Sequence, residues 1–256
     1  MPDMKLTVLG ARGSIPVDGE KYNIFGGATS SYMLKAGEEI IFLDAGNGII
    51  NAPDTGNRPV SIVISHSHLD HILGLPFFGG MTIPGKKINI YARREDVDKL
   101  YAPPLWPVSI SEYPADVSFC DIKDVFNIGD VRFEAAASNH PGGSNIYKIL
   151  YGARKIVYAT DYEHDGSGDT ELTGLCRDAD LILYDAQYTP EDYERKKGFG
   201  HSTVEAGLSV LKESHARLMI FVHHDPNYDD CKLLALDREI AVPNAHYARA
   251  GEVITI

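Results

Sequence analysis

Short apolar runs recur along the chain, each broken by a turn or a polar stretch. They read KLTVL, SYMLKA, EIIFLDAG, SIVISH, KINIYA, VRFEAAA, IYKILYG, KIVYATD, LILYDA, LMIFVHH and EVITI. The first predicts a strand near Lys5–Leu9. Several are almost wholly apolar, as expected of strands covered on both faces rather than one. Helical spacing appears in three places: Arg94–Tyr101, Thr203–Ser214 and Tyr228–Ile240. The second is the clearest, with Val204, Leu208 and Leu211 near a helical repeat behind Ser202 or Thr203 as cap. Strands in hairpins followed by strands alternating with helices predict an α/β (α+β) chain: two packed sheets with helices outside. No repeat and no low-complexity linker interrupts residues 1–256, so they read as one domain, long enough for a substantial core.

Polar donor residues fall just after these strands. Asp44 ends IIFLD, His66 follows SIVIS, Asp161 follows KIVYAT, Asp185 ends LILYD and His223 follows LMIFV. Strand ends converging on one edge are where sheet-based folds gather ligands and reacting groups. The densest cluster is SHSHLDH, Ser65–His71, with three histidines and an aspartate in seven residues. In a tight turn, alternate side chains point the same way. His66 and His68 then reach one cation, and Asp70 and His71 a second beside it. Imidazole and carboxylate suit Zn²⁺, Mn²⁺ or Fe²⁺, and with no thiolate in the set, softness does not choose among them. Paired hydrolytic metals sit about 3.5–4 Å apart and need a bridging carboxylate.

HSHLDH resembles the signature of the metallo-β-lactamase fold superfamily, and further motifs follow in that family's order. The resemblance implies a four-layer αββα sandwich. It implies that Asp44 in FLDAG orients the histidine loop, that His140 in SNHPGGS completes the first metal's ligands, and that Asp161 in YATDYEH bridges two divalent ions. FVHHDP supplies the last ligand, His223 or the adjacent His224; its position after the apolar run favours His223. His224 is then a supporting or substrate contact, or simply structural. The motifs run from Asp44 to His224.

GHSTVEAG (Gly200–Gly207) resembles the His-Ser-Thr motif of ribonuclease Z and of related small-molecule phosphodiesterases, including the enzyme that opens phosphoribosyl cyclic phosphate. Carried over, His201 protonates the departing oxygen and Asp185 orients it; the alternative is that His201 merely starts a helix. The resemblance thus implies cleavage of a small phosphodiester by metal-activated water, the site carboxylate Asp70 included. Another ester, thioester or lactone, or RNA, are the alternative substrates. Only 21 positions separate His140 from Asp161, where ribonuclease Z carries a long RNA-gripping arm. The Cys-rich structural zinc site of the phosphoribosyl enzyme is also missing.

The glycine-rich loop Gly10–Ser31 admits two readings: Gly26, Gly27, Thr29 and Ser30 cradle a phosphate, or the segment is a long turn at the sheet edge. Tyr101–Pro114 is rich in aromatics and prolines and reads as a lid or a homodimer contact, with Trp106 packed. His164 lies near enough to Asp161 to approach the pocket; His215 and His246 read as surface residues.

Composition narrows the partners. The net charge is −12, with no Lys/Arg-rich face beyond Arg195–Lys197, which argues against long nucleic acid and leaves a small anionic substrate. No apolar run approaches the ~18 residues that cross a bilayer. Cys120, Cys176 and Cys231 are scattered and odd in number, so they form no disulfide framework. The N-terminus lacks a signal-peptide pattern, and the expected location is the cytoplasm.

Overall fold

The structure is a computed structural model that describes residues 4–166 and 169–256; Met1–Asp3, part of the N-terminus read above, lie outside them. One sheet contains β1 (Met4–Gly10), β2 (Ser31–Ala36), β3 (Glu39–Leu43), β4 (Val60–Val63), β5 (Lys87–Tyr91) and β6 (Asp116–Cys120). The other contains β7 (Val125–Ile128), β8 (Val131–Ser138), β9 (Ser144–Tyr151), β10 (Arg154–Ala159), β11 (Leu181–Asp185), β12 (Met219–Val222) and β13 (Ala245–Tyr247). The last strand, β14 (Val253–Thr255), returns to pair with β1. The sheet orders are β14-β1-β2-β3-β4-β5-β6 and β13-β12-β11-β10-β9-β8-β7.

Each sheet repeats one plan that the sequence conceals. Antiparallel pairing runs through β1–β3 and through β7–β10. Parallel pairing then runs through β3–β6 and through β10–β13. The strands where pairing switches, β3 and β10, lead directly to Asp44 and Asp161.

Side-chain alternation explains the unbroken apolar runs. Leu181 and Leu183 face the core between the sheets, whereas Ile182 and Tyr184 face the outer side. Ile41 and Leu43 likewise point inward, and Ile40 and Phe42 outward. Three apolar clusters therefore separate four layers. The outer face of the first sheet is covered by α2 (Arg94–Leu100) and short 3-10 turns carrying Leu75, Met81 and Ile110. That of the second is covered by α3 (Asp169–Cys176), α5 (Val204–Ser214) and α6 (Asp230–Glu239). Two more short helices, α1 (Leu69–Ile72) and α4 (Pro190–Lys196), lie at the edge that carries the site. The result is the αββα sandwich expected of the resemblance.

Thr203, not Ser202, caps α5, its side chain accepting from the Ala206 amide. Trp106 is packed, as its sequence context suggested, edge-on to Phe77 and Tyr101. His215 is exposed at the end of α5. His246 is not a plain surface residue: it is half-buried and hydrogen-bonded to Glu252 at 2.7 Å, tying β13 in one sheet to the segment entering β14 in the other. The Glu252 hydrogen bond raises the His246 pKa against the opposing effect of burial. Burial pushes Glu252 up, but His246 outweighs it and the net shift is downward. The His246 contribution is thus complete below the unfolded histidine value of about 6.5 and fades as pH rises through the folded value. The Glu252 contribution is complete above the ordinary carboxyl range and fades as pH falls. His246→Ala is therefore expected to cost about 1 kcal/mol or less of stability for so accessible a pair, with the largest fall in Tm near pH 5.5–6.5 and the smallest near pH 9. A Tm deficit that grows with pH would contradict the pairing.

Candidate active site and metal centre

Five strand ends converge at one edge. Three donors there, Asp44, Asp161 and His223, have left-handed backbones with φ of 59°, 51° and 65°. This region is open to Asp and His at modest cost but strained for most side chains. The kink turns each side chain out of the strand alternation and across the sheet edge. His66 follows a bend at Ser65 past the end of β4, His68 is extended at the start of α1, and α1 then lifts Asp70 and His71 from its single turn. The expected tight turn is thus an extended segment followed by a helix start.

Two donor groups flank one carboxylate: His66, His68 and His140 lie with Asp161 in one, and Asp70, His71 and His223 form the other; a third, overlapping group joins Asp161, Asp185, His201 and His223. His68 Nδ1 and His140 Nε2 are 3.2 Å apart. Asp161 Oδ2 lies 3.6 Å from His66 Nε2 and 3.7 Å from His140 Nε2. Its other oxygen, Oδ1, lies 3.2 Å from His71 Nε2 and 3.5 Å from His223 Nε2. Asp70 Oδ2 is 3.0 Å from His223 Nε2.

The donor chemistry fits divalent cations. His66 Nε2 is buried without a hydrogen-bond partner among the described residues, which is costly for an imidazole nitrogen unless something else uses its lone pair. Burial lowers the His66 pKa well below its ordinary value, and burial lowers that of His140 as well. Both are therefore neutral, with lone pairs to offer. At His71, burial is outweighed by Asp161, Asp70 and Asp44, which raise its pKa well above the usual range. His223 behaves alike: burial opposes, but Asp161, Asp70 and Asp185 raise it to about 9. Buried carboxylates thus hold positive charge at the centre, the charge a cation would bring.

A ring of hydrogen bonds aims the donors. Asp44 Oδ2 lies 2.7 Å from His71 Nδ1 and accepts from the Tyr158 hydroxyl at 2.6 Å and Ser65 Oγ at 2.8 Å. Asp44 Oδ1 accepts from the Ser65 amide at 2.6 Å. His140 Nδ1 donates to the Gly200 carbonyl at 2.9 Å, and Asp70 Oδ2 accepts from the Ser14 amide at 2.6 Å. Such partners select the tautomer that leaves the other nitrogen facing the centre. His201 Nδ1 is 2.8 Å from Asp185 Oδ2 and 4.0 Å from Asp161 Oδ2. The Asp185 carboxylate is itself held by the amides of Asp161, Gln187 and Ser202.

The structure separates the two neighbouring histidines. Both lie beyond the end of β12, not on it. His223 enters the donor cluster, whereas His224 packs edge-on to Phe25 and Tyr247 and donates from Nε2 to the Phe221 carbonyl at 3.0 Å. Burial, reinforced by Arg12, pushes His224 down to about 3, so it is neutral and structural. A substrate contact from His224 is therefore corrected: its ring is sealed on the far side of the turn. The phosphate cradle is corrected too. The Thr29 amide and hydroxyl are both engaged by Asn47, and Ser30 is fully buried. Gly27 closes against Val17, where a Cβ would lie 1.8 Å from the Val17 carbonyl oxygen. The loop is a long turn, stitched by buried Arg12 to the carbonyls of Gly26, Asp225 and Tyr228. His164 stands outside the cluster, paired with Asp169 and Tyr184.

Several contributors escaped the sequence reading. Gly13 lies under the His223 ring; a Cβ there would stand 2.4 Å from Nδ1. Tyr158 reads as an ordinary core aromatic, its only signal being that a buried hydroxyl needs a partner.

A family model described as "Beta-lactamase superfamily domain" matches residues 41–224, well over half of the chain. Ribonuclease Z of Bacillus subtilis is 24% identical over 92% of this chain and 93% of its own length. The crystal structure of the metallo-beta-lactamase fold protein YhfI from Bacillus subtilis superposes with a TM-score of 0.76 at 18% identity, covering 100% of both chains. A structure described as a new diphosphatase from the PhnP family superposes with a TM-score of 0.73 at 18% identity, covering 98% of this chain and 97% of that one. The superfamily typically binds divalent metals, and the histidine and aspartate cluster at this edge could hold them. The chain belongs to the beta-lactamase superfamily, with the metallo-β-lactamase fold.

Proposed function

We propose that the protein is a two-metal hydrolase of a small phosphodiester, of the cyclic nucleotide or phosphoribosyl cyclic phosphate type. One observation carries the choice of reaction: the hydrogen-bonded His201–Asp185 pair, 2.8 Å apart, stands at the edge of the shared Asp161 carboxylate. Acyl substrates need no such dedicated acid as strongly as a phosphodiester with an alkoxide leaving group does.

His66, His68 and His140 would hold one cation and Asp70, His71 and His223 the other, with Asp161 available to both. When bound, the cations neutralise phosphoryl charge and make water a nucleophile near pH 7. Asp44 and the Gly200 carbonyl keep His71 and His140 in the ligating tautomer. His201, held through Nδ1 by Asp185, delivers a proton from its other nitrogen to the leaving oxygen. Zinc suits the donor set, with Mn²⁺ or Fe²⁺ as alternatives.

A ribonuclease Z-like reading has support in the names of the similar proteins. Against it stand the charge of −12 and the short path from His140 to Asp161, which is taken up by the β9–β10 hairpin. The three unpaired cysteines support a cytoplasmic setting. No helix among the described residues is long and apolar enough to cross a membrane.

Zinc-loaded protein is expected to hydrolyse bis(p-nitrophenyl) phosphate and 2′,3′-cyclic nucleotides at least about 100-fold faster than p-nitrophenyl acetate or a thioester, by kcat/KM. Faster acyl transfer would replace this reading with an esterase or lactonase. Efficient 3′ trimming of a precursor tRNA would replace it with the ribonuclease.

A further inference from the structure

A buried carboxylate beside the donor cluster, Glu163, is not part of it. Glu163, 6% exposed, lies two positions beyond Asp161. Its Oε1 accepts from the Gly198 amide at 2.7 Å and the Tyr193 hydroxyl at 3.1 Å, and its Oε2 from the Gly200 amide at 2.9 Å. Both glycines are in the left-handed region, with φ of 83° and 88°. Backbone amides turned inward by such residues form a concave anion site, and here the anion belongs to the chain itself. The backbone of Glu163 is tied to Asn139 in both directions, at 2.9 and 2.8 Å.

The clasped loop bears on the centre twice. The Gly200 carbonyl accepts from His140 Nδ1, and the next residue is His201. Close approach is built in: a Cβ on Gly200 would lie 2.1 Å from His140 Nδ1. We infer that Glu163 is a positioning residue, which holds the 198–200 loop so that its carbonyl aims His140 and its end presents His201. The inference rests on the function proposed above. A carboxylate is needed because all three partners are donors. The amide of Glu163→Gln turns an NH₂ toward one of the glycine amides, opposing donor to donor.

The test compares wild type, E163Q, H201A and the double variant. Zinc affinity is measured by chelator competition. Turnover at saturating zinc is measured on 2′,3′-cyclic AMP, with an alkoxide leaving group, and on bis(p-nitrophenyl) phosphate. E163Q is expected to bind zinc about tenfold more weakly. It should lose about tenfold in kcat on the cyclic nucleotide while staying within about threefold on the nitrophenyl ester. In the H201A background, E163Q should add no further leaving-group preference, because both changes act through one group. A change under threefold in either zinc affinity or leaving-group preference overturns the assignment, even if Tm falls. If H201A itself shows no leaving-group preference, the general-acid reading fails instead, and zinc affinity alone then decides the link from Glu163 to His140. Should E163Q not fold, E163D, one methylene too short to reach both amides, takes its place under the same criteria.

Discussion

Asp161→Ala is expected to lose at least half of the bound zinc and roughly three orders of magnitude in kcat/KM on a phosphodiester. The size follows from geometry. The Asp161 oxygens split between the two donor groups, one near His66 and His140, the other near His71 and His223. No other carboxylate among the described residues is placed in this way between both groups, so its loss weakens both at once. The carboxylate is nearly inaccessible, and although burial would raise its pKa, His223, His71 and His66 hold it well below the ordinary range. It is therefore ionised throughout the working pH range. Metal ions contribute several kcal/mol of transition-state stabilisation, and each 1.36 kcal/mol is tenfold in rate, which gives the three orders. Metal analysis by mass spectrometry and steady-state kinetics check this. Unchanged zinc content in the variant would remove Asp161 as the shared ligand.

His201→Ala is expected to slow hydrolysis of a diester with an alkoxide leaving group by about 10²-fold or more, in the range for a positioned general acid. A nitrophenolate leaving group needs little protonation, so its turnover should fall only a few-fold. Zinc content should stay at the wild-type level, because His201 Nδ1 is engaged by Asp185 at 2.8 Å and stands 4.0 Å from the shared Asp161 carboxylate. Asp185→Asn should follow in part, since an amide still orients the ring but stabilises its charge less. Equal losses on both substrates would sink the general-acid role and leave His201 a structural neighbour of His140 and His223, whose rings lie 5.3 and 4.7 Å away.

Interior strands were legible because both faces are buried, and burial on both faces selects unbroken apolar runs such as LILYD. The strands that escaped, β6, β7 and β13, are all sheet edges. β6 and β7 leave most positions partly or fully exposed, and β13 is only three residues long, so each carries too weak a pattern. Among the helices, α4 buries no residue fully and has no apolar stripe to read, while α1 is a single turn.

By itself, the sequence determined the layered α/β class, because burial on two faces leaves its mark residue by residue, and its clustered imidazoles pointed to the edge where the fold gathers histidines and aspartates. Only the tertiary structure decided which of two adjacent histidines faces the centre, since that depends on a left-handed kink at His223 that no residue type demands. It also decided that Thr29 and Ser30 turn inward, that Gly13 makes room for the His223 ring, and that Glu163 clasps the loop ahead of His201. Those roles arise where segments distant along the chain meet, and hydrogen-bond partners brought together by folding have no local signature to read.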